Sequence, residues 1–288
     1  MPDVHMGRTV GLGNIVWPGG TSLQGPHRVG AFCTCPQLES FSHELELRNN
    51  VQKDALVIGT LVHVGLAYRY GMMLPTKPSW LVYKDGREAI WTCGQETPDM
   101  AVEALRIFDA YQAFYAMNTI TPVAVEHQFV VNFDIGDGVI EPYSCRTDLV
   151  GIENGQYVIY DHKVFRTIGR NTGYDHRADR QMLTNLALAR AAGLPIERVV
   201  LNTMTKDMPE PRFCRFDIPI SVKAYTELGA DTLYWLRRMN ETRRLYPDPM
   251  NRPKVLEACV RKYGRCDYQT LCHEGLHTIV EFKKRTDK

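Results

Sequence analysis

Apolar residues follow a helical period in two early stretches of this chain, at about 45–73 and about 97–117. The first stretch is apolar almost all round from Leu56 onward, so we expect that helix to be deeply buried. The second opens with Thr97, Pro98 and Asp99, and proline is favoured in the first turn of a helix.

Between residues 123 and 164 the pattern changes to that of β-strands. Segments rich in Val, Ile, Tyr and Phe are separated by two turn signals, Gly136-Asp137-Gly138 and Asn154-Gly155. We therefore predict a β-meander of three strands, at 123–133, 139–152 and 157–164.

The remainder predicts a helix at 176–192, strands at 198–205 and 212–218, and a long helix at 222–246. The order α, α, βββ, α, ββ, α indicates an α/β (α+β) domain with a mixed sheet. We divide the chain into a poorly ordered tail (1–30), a core (31–250) and a cysteine-rich C-terminal module (251–288).

Composition places this chain of 288 residues among ordinary globular proteins, with 44% hydrophobic and 23% charged residues. The net charge of +1 does not discriminate between partners. We find no apolar run of membrane-spanning length and no signal-peptide pattern, so we expect a cytoplasmic protein. In a reducing compartment, the eight cysteines are expected to be metal ligands or buried small residues rather than disulfides.

Turn chemistry pairs two acidic residues in the meander. If Asn154 and Gly155 form a two-residue turn, the residue numbers of paired positions sum to 309. Asp148 and Asp161 satisfy this sum, so they lie opposite each other with Cβ atoms about 4.5–5.5 Å apart. Facing carboxylates in apolar surroundings must take up a proton or bind a cation, and oxygen ligands suit Mg²⁺ or Mn²⁺.

Lys163 lies on the same strand face as Asp161, two residues further along. A cation there can orient a metal-bound water or offset charge on a phosphate, which indicates phosphodiester hydrolysis. The alternative is an exposed strand on which Asp161 and Lys163 form a weak ion pair.

An ordered set of motifs resembles the RecB-like branch of the PD-(D/E)XK nucleases over most of the chain. The set consists of Gly59-Thr60-Leu61-Val62-His63, Asp148, Asp161-His162-Lys163 and Gln181. The resemblance implies a restriction-endonuclease-like mixed central sheet flanked by helices. The chain departs from the family at Asn185, where the pattern has a tyrosine.

The resemblance also implies roles for these residues. His63, Asp148 and Asp161 would be metal ligands together with the backbone carbonyl of His162, and Lys163 would be the catalytic lysine. Gln181 would contact the substrate strand near the scissile phosphate. Glu126, in the first meander strand, is a second-tier candidate ligand. Taken by itself, His63 on an apolar helix would be a hydrogen-bonded core histidine.

Cysteines near both ends resemble those of the iron–sulfur subset of this branch, which includes the AddB and CRISPR-associated exonucleases. The set implied to hold a [4Fe–4S] cluster is Cys35 (followed by Pro36), Cys259, Cys266 and Cys272. Cys33 is a rival to Cys35 for the fourth ligand. The alternatives are a zinc site or unrelated buried thiols.

A cluster of basic and aromatic residues follows Lys163, and we expect it to contact DNA rather than form only a solvated face: Arg166, Arg170, Arg177, Arg180 and Tyr174. The leading hypothesis is a Mg²⁺- or Mn²⁺-dependent deoxyribonuclease, an exonuclease on single-stranded or frayed DNA ends. Its setting would be recombination, repair, or phage or CRISPR DNA processing, with protein partners of those pathways. The alternatives are a non-catalytic nucleic-acid-binding or assembly subunit and a zinc-stabilised interaction protein.

Overall fold

The computed structural model describes residues 24–49, 54–117, 120–207, 210–261 and 264–284. Most of the predicted tail, 1–23, lies outside these residues. Within them the α-helices are, in chain order, α1 (Pro26–Thr34), α2 (Pro36–Glu39), α3 (Asp54–Gly71), α4 (Gly86–Cys93), α5 (Pro98–Phe114), α6 (Thr172–Asp175), α7 (Arg180–Ala191), α8 (Val222–Leu245) and α9 (Gln269–Glu274). A π-helical turn and three 3₁₀ segments accompany them, at Ser40–Glu44, Pro249–Asn251, Leu256–Cys259 and Leu276–Glu281.

The described strands are β1 (Leu47–Asn49), β2 (Thr121–Asp134), β3 (Ile140–Glu153), β4 (Gln156–Phe165), β5 (Ile196–Thr205), β6 (Phe213–Asp217), β7 (Val260–Arg261), β8 (Gly264–Arg265) and β9 (Phe282–Lys284). β2 to β6 form a five-stranded sheet in chain order, in which only the β4–β5 pair is parallel. The structure thus has a mixed sheet flanked by helices, as the order of patterns predicted.

The β-meander is confirmed, and its second turn sets the predicted register. Asn154 and Gly155 have φ angles of 52° and 80°, the left-handed conformation that a two-residue type I′ turn requires. The β3–β4 pairs run from Glu153–Gln156 to Leu149–Tyr160, and each keeps the predicted sum.

The crossover from β4 to β5 carries α7 onto one face of the sheet, since parallel neighbours cannot be joined by a tight turn. Asp179 caps this helix by accepting the backbone N–H groups of Gln181 and Met182. The cap fixes where the helix begins, so Gln181 lies in its first turn, facing the end of β4.

Each face of the sheet has its own core because side chains alternate along the strands. One face packs against α3, α4 and α5, with Leu149, Val158 and Tyr160 buried there. The other packs against α1, α7 and α8, with Val150 and Ile159 buried. The expectation of a deeply buried helix is confirmed, since much of α3 is inaccessible to solvent.

A third, smaller core joins the two ends of the described chain. Phe41 and Leu47 from the N-terminal segment pack against Tyr268, Leu271 and Phe282 from the C-terminal segment. β1 pairs with β9 in the same region, and the hydroxyl of Tyr268 donates to the Leu47 carbonyl over 2.6 Å. The predicted C-terminal module is therefore packed against the N-terminal segment.

Two sequence predictions need correction. The helix predicted at 45–73 begins only at Asp54, because 47–49 pair as a strand with residues more than two hundred positions away. Helix α1 begins at Pro26, inside the segment predicted as a tail, and α4 was not predicted at all. Among the described helices, none combines the length and apolar character needed to cross a membrane.

Candidate active site

The two predicted aspartates lie where β3 and β4 stop pairing. Beyond the last pair, Leu149–Tyr160, the side chain of Asp148 takes the place of a backbone acceptor. Its Oδ2 accepts the backbone N–H of His162 over 2.7 Å. The register therefore brings Asp148 and Asp161 to the same level of the sheet. The hydrogen bond between the Asp148 side chain and the His162 backbone takes the place of the next backbone hydrogen bond between the strands.

Asp148 belongs to a compact set of three groups that could hold a metal ion. One ligand atom from each of His63, Glu126 and Asp148 lies within 4.8 Å of the others. His63 comes from α3, and its Nδ1 is 3.6 Å from Asp148 Oδ2. The structure thus gives Glu126, the second-tier candidate, a place in the most compact group of the site.

Glu126 reaches this group through an unusual backbone conformation. The β2–β3 register places it level with Asp148, between the pairs Val125–Leu149 and His127–Thr147. Its φ of 49° lies in the left-handed region, which costs a non-glycine residue about 1–3 kcal/mol. Such strain persists where surrounding structure imposes it, and it is common at functional sites.

Asp161 is held by two side chains, one from its own strand and one from α7. Its Oδ2 lies 2.8 Å from Lys163 Nζ, and its Oδ1 accepts a hydrogen bond from Gln181 Nε2 over 2.9 Å. The ammonium of Lys163 also donates to Gln181 Oε1 over 3.3 Å. Asp161, Lys163 and Gln181 therefore form a closed polar triangle beside the His63, Glu126 and Asp148 group.

Burial and charge give these acids different proton affinities. Burial, reinforced by Asp148, raises the pKa of Glu126 well above its usual value. Burial also raises the pKa of Asp161, although Lys163 opposes this. For Asp148, burial raises the pKa, but the electrostatic effects of His63, His162 and Lys163 and the hydrogen bond from the His162 N–H outweigh burial, so its pKa is lowered. One acid thus carries charge beside two that resist ionisation, an arrangement that a cation relieves.

Lys163 is kept charged by the same neighbours. Burial by itself would favour the neutral amine, but Asp161 and Asp148 raise the pKa of Lys163 above its ordinary value. The side chain of His162 points to the other face, where burial lowers its pKa to about 3 and leaves the imidazole neutral.

Residues that contact His162 on that face were missed by the sequence analysis. Asn202 lies 2.8 Å from its Nδ1, and the Tyr70 ring stacks on the imidazole. Nothing in the sequence distinguishes Asn202 or Tyr70 from ordinary core positions.

The four cysteines predicted as cluster ligands come together from distant parts of the chain. Cys35, Cys259, Cys266 and Cys272 line one small cavity beside the third core. Among the described residues, no three of their sulfurs lie within 4.8 Å of one another, so the thiols are gathered but do not form a compact ligand set. Cys33 is exposed and does not line this cavity.

The predicted DNA-contacting residues have different surroundings. Arg166 and Arg170 are exposed after the end of β4. Arg177 stacks on the ring of Tyr174 at 3.8 Å, and Tyr174 is 58% exposed. Arg180 instead pairs with Asp231 of α8.

Residue 185, where the resemblance expects a tyrosine, is a buried asparagine one helical turn after Gln181. Among the described residues, neither its side-chain nitrogen nor its oxygen has a hydrogen-bond partner. The Gln181 contacts with Asp161 and Lys163 are present with asparagine, and not tyrosine, at position 185.

Comparison with known proteins adds a family match. The model of a family described as the PD-(D/E)XK nuclease superfamily matches residues 25–273. No curated protein sequence matches the chain. A solved structure from Eubacterium rectale, described as a candidate exonuclease, aligns over 86% of this chain and 87% of its own. The identity is 13% and the TM-score 0.53, a similarity of fold.

A second solved structure, SSO0001, aligns over 84% of this chain and 95% of its own at 15% identity. Its TM-score of 0.36 is too low for any argument about this chain.

Proposed function

The chain belongs to the PD-(D/E)XK nuclease superfamily, and we propose that it is a metal-dependent deoxyribonuclease of the RecB-like branch. We infer further that it acts as an exonuclease on single-stranded or frayed DNA ends. The resemblance to this branch favours a setting in phage or CRISPR-type DNA processing, recombination or repair.

One observation supports the catalytic proposal above all others. The His63, Glu126 and Asp148 group lies beside an aspartate whose carboxylate is 2.8 Å from the ammonium of Lys163. Ligands for a divalent cation, with a charged lysine beside them, can support phosphodiester hydrolysis. A surface ion pair would not need this degree of burial, since Asp161 is 1% exposed.

We propose His63, Glu126 and Asp148 as the principal metal ligands, with Asp161 and the His162 carbonyl completing the set. A bound divalent ion would supply Lewis acidity and a more acidic bound water. Lys163 would orient that water and offset charge developing on the phosphate. Gln181 would hold Lys163 and Asp161 in place and contact the substrate near the scissile phosphate.

The ligand types favour Mn²⁺ over Mg²⁺. Mg²⁺ prefers an all-oxygen environment and keeps several of its waters, whereas an imidazole nitrogen is better accepted by transition metals. We therefore expect both ions to support turnover and Mn²⁺ to do so at lower concentration.

We propose that the substrate strand follows Arg166, Arg170, Arg177 and Tyr174. Exposed guanidinium groups are suited to phosphates, and an exposed aromatic ring can stack on an unpaired base. Arg180 has a smaller expected role because Asp231 already engages it.

The cysteine-lined cavity supports a second proposal, a [4Fe–4S] cluster held by Cys35, Cys259, Cys266 and Cys272. Tetrahedral zinc with Zn–S bonds of about 2.3 Å would need the sulfurs closer together than they are, whereas a four-iron cluster occupies more space. Iron and sulfide in a brown protein would support the cluster, and zinc in a colourless protein would support the alternative.

Digestion of end-labelled single- and double-stranded DNA with Mn²⁺ tests the enzymatic proposal. Wild type should shorten labelled ends, Lys163→Ala should lose this activity, and the matched control Lys223→Ala, at an exposed lysine of α8, should retain it. Equal activity of wild type and Lys163→Ala would defeat the catalytic assignment. DNA binding without cleavage by wild type would favour a non-catalytic binding or assembly subunit.

A further inference from the structure

A chain of hydrogen-bonded, buried polar side chains lies next to the proposed metal site, on the sheet face covered by α3 and α5. Asn202 on β5 pairs in register with His162 on β4, and neither residue is more than 2% exposed. The amide nitrogen of Asn202 lies 2.8 Å from His162 Nδ1 and 2.8 Å from Tyr111 Oη. Because an amide nitrogen only donates, both of these atoms act as acceptors.

The same chain fixes the plane of the imidazole. Tyr111 Oη is 2.8 Å from Tyr70 Oη. The Tyr70 ring lies 6.0 Å from the His162 ring, centroid to centroid, with 10° between their planes. His162 is therefore held at one ring nitrogen by β5 and over one ring face by α3.

The backbone of His162 connects this chain to the proposed metal site. Its N–H donates to Asp148 Oδ2 over 2.7 Å, and the same oxygen lies 3.6 Å from His63 Nδ1. Any rotation or shift of His162 therefore moves the donor that orients Asp148.

Polar side chains are costly to bury in this space. A buried hydroxyl or amide that loses its hydrogen-bond partner lowers the stability of the fold by about 1–3 kcal/mol, whereas apolar side chains of similar shape need no such partner. Two arginines also border the chain, since Arg215 donates to Tyr111 Oη over 3.4 Å and the Arg69 guanidinium lies over the Tyr70 and Tyr111 rings. The rest of the surrounding core is apolar, with Leu66 and Ile107 fully buried. The chain reaches the one residue that separates Asp161 from Lys163.

We propose that Asn202 and Tyr111 are positioning residues that hold His162 so that its peptide N–H keeps Asp148 oriented toward His63 and Glu126. This inference rests on the proposed function, because it assigns those three residues to a metal site. Neither Asn202 nor Tyr111 touches the metal or the substrate strand.

The test compares Asn202→Leu and Tyr111→Phe with Tyr143→Phe. Tyr143 is a matched control because it is equally buried and its hydroxyl lies 3.1 Å from Thr184 Oγ1 in the core of the opposite face. For each variant, calorimetry gives the Mn²⁺ dissociation constant without DNA, thermal unfolding gives stability, and Mn²⁺ titration of the nuclease reaction gives the half-saturating concentration and kcat.

We expect Asn202→Leu to weaken Mn²⁺ binding about tenfold, as is usual when a group supporting a ligand is lost. Tyr111→Phe should weaken it less and should add nothing to Asn202→Leu. In both variants the half-saturating Mn²⁺ concentration should rise far more than kcat at saturating Mn²⁺ falls. Tyr143→Phe should lower stability without changing Mn²⁺ affinity.

Unchanged Mn²⁺ affinity in Asn202→Leu would overturn the proposal, as would equal weakening by Tyr111→Phe and Tyr143→Phe. If Asn202→Leu does not fold, the two tyrosine variants decide the question. Wild type that binds Mn²⁺ but cleaves no DNA would refute the proposed function alone, because calorimetry would still decide the role of Asn202.

Discussion

The acidic group and the cysteine-lined cavity are assembled in contrasting ways. Here the acidic group is His63, Glu126, Asp148 and Asp161. Its three carboxylates come from one continuous meander, β2 to β4, in which strand register sets their level. The cysteines come from both ends of the described chain and meet only because the third core brings those ends together. Strand register within one meander aligns the carboxylates of the first site, whereas packing between the two ends of the described chain gathers the cysteines of the second.

The segments around the cysteines are joined by bonds that involve no sulfur. Gln37 and Ser40 both donate to the Pro249 carbonyl, over 2.8 and 2.6 Å. One guanidinium nitrogen of buried Arg252, Nη2, donates to both carboxylate oxygens of Glu44, over 2.8 and 2.9 Å. We therefore expect the cavity to persist without a cluster, so that the two sites can be disabled separately.

Asp148→Asn is the substitution in the acidic group for which we expect the largest loss of nuclease activity. The substitution removes a charge from the proposed metal site, so we expect nuclease activity to fall at least about a hundredfold, on the scale of losing an electrostatic catalytic group. Initial rates of DNA digestion across a Mn²⁺ titration measure the effect. Asp137→Asn, at an exposed turn, is the control, and iron content should stay at the wild-type level.

Cys35→Ala and Cys33→Ala test which of these two cysteines binds the proposed cluster at the cysteine-lined cavity. Only Cys35 lines the cavity, so iron and sulfide should be lost in Cys35→Ala and retained in Cys33→Ala. Calorimetric Mn²⁺ affinity should be unchanged in both. Iron loss in Cys33→Ala alone would reverse the assignment, and loss of Mn²⁺ binding in Cys35→Ala would show that the two sites are coupled.

Glu44→Gln tests the sulfur-free connection of the two chain ends. Weakening the ion pair with buried Arg252 should lower the free energy of unfolding by about 1.5–3 kcal/mol. Denaturant unfolding measures this change. Glu227→Gln, in an exposed pair with Lys223, should change stability by no more than about 0.5 kcal/mol. Similar losses in both variants would mean that the buried pair is not a special connection.

Glu126→Gln tests the proposed metal site through the pH dependence of metal-free stability. Because the pKa of Glu126 is raised on folding, its contribution is fully present below the unfolded value of about 4.3. It is lost as pH rises toward the folded value. The wild type should therefore lose stability relative to Glu126→Gln as the pH rises above about 4.3, by about 1.4 kcal/mol for each tenfold increase in proton affinity that folding imposes on this carboxyl.

Unfolding curves at several pH values, without metal and then with Mn²⁺, check this expectation. Added Mn²⁺ should remove the pH-dependent difference in wild type, because a cation favours the ionised carboxylate. If the stabilities of the two proteins change in parallel with pH, the pKa of Glu126 is not raised on folding.

The sequence by itself determined the meander, its Asn154-Gly155 turn and therefore the level at which Asp148 and Asp161 meet, because turn conformation depends on a few adjacent residues. Only the tertiary structure decided that Glu126 turns into the site through a left-handed φ and that Asn202 and Tyr70 contact His162. It also placed Cys35, and not Cys33, at the cavity. These contacts join residues far apart in the chain, so they depend on how whole helices and strands pack and leave no local pattern to read.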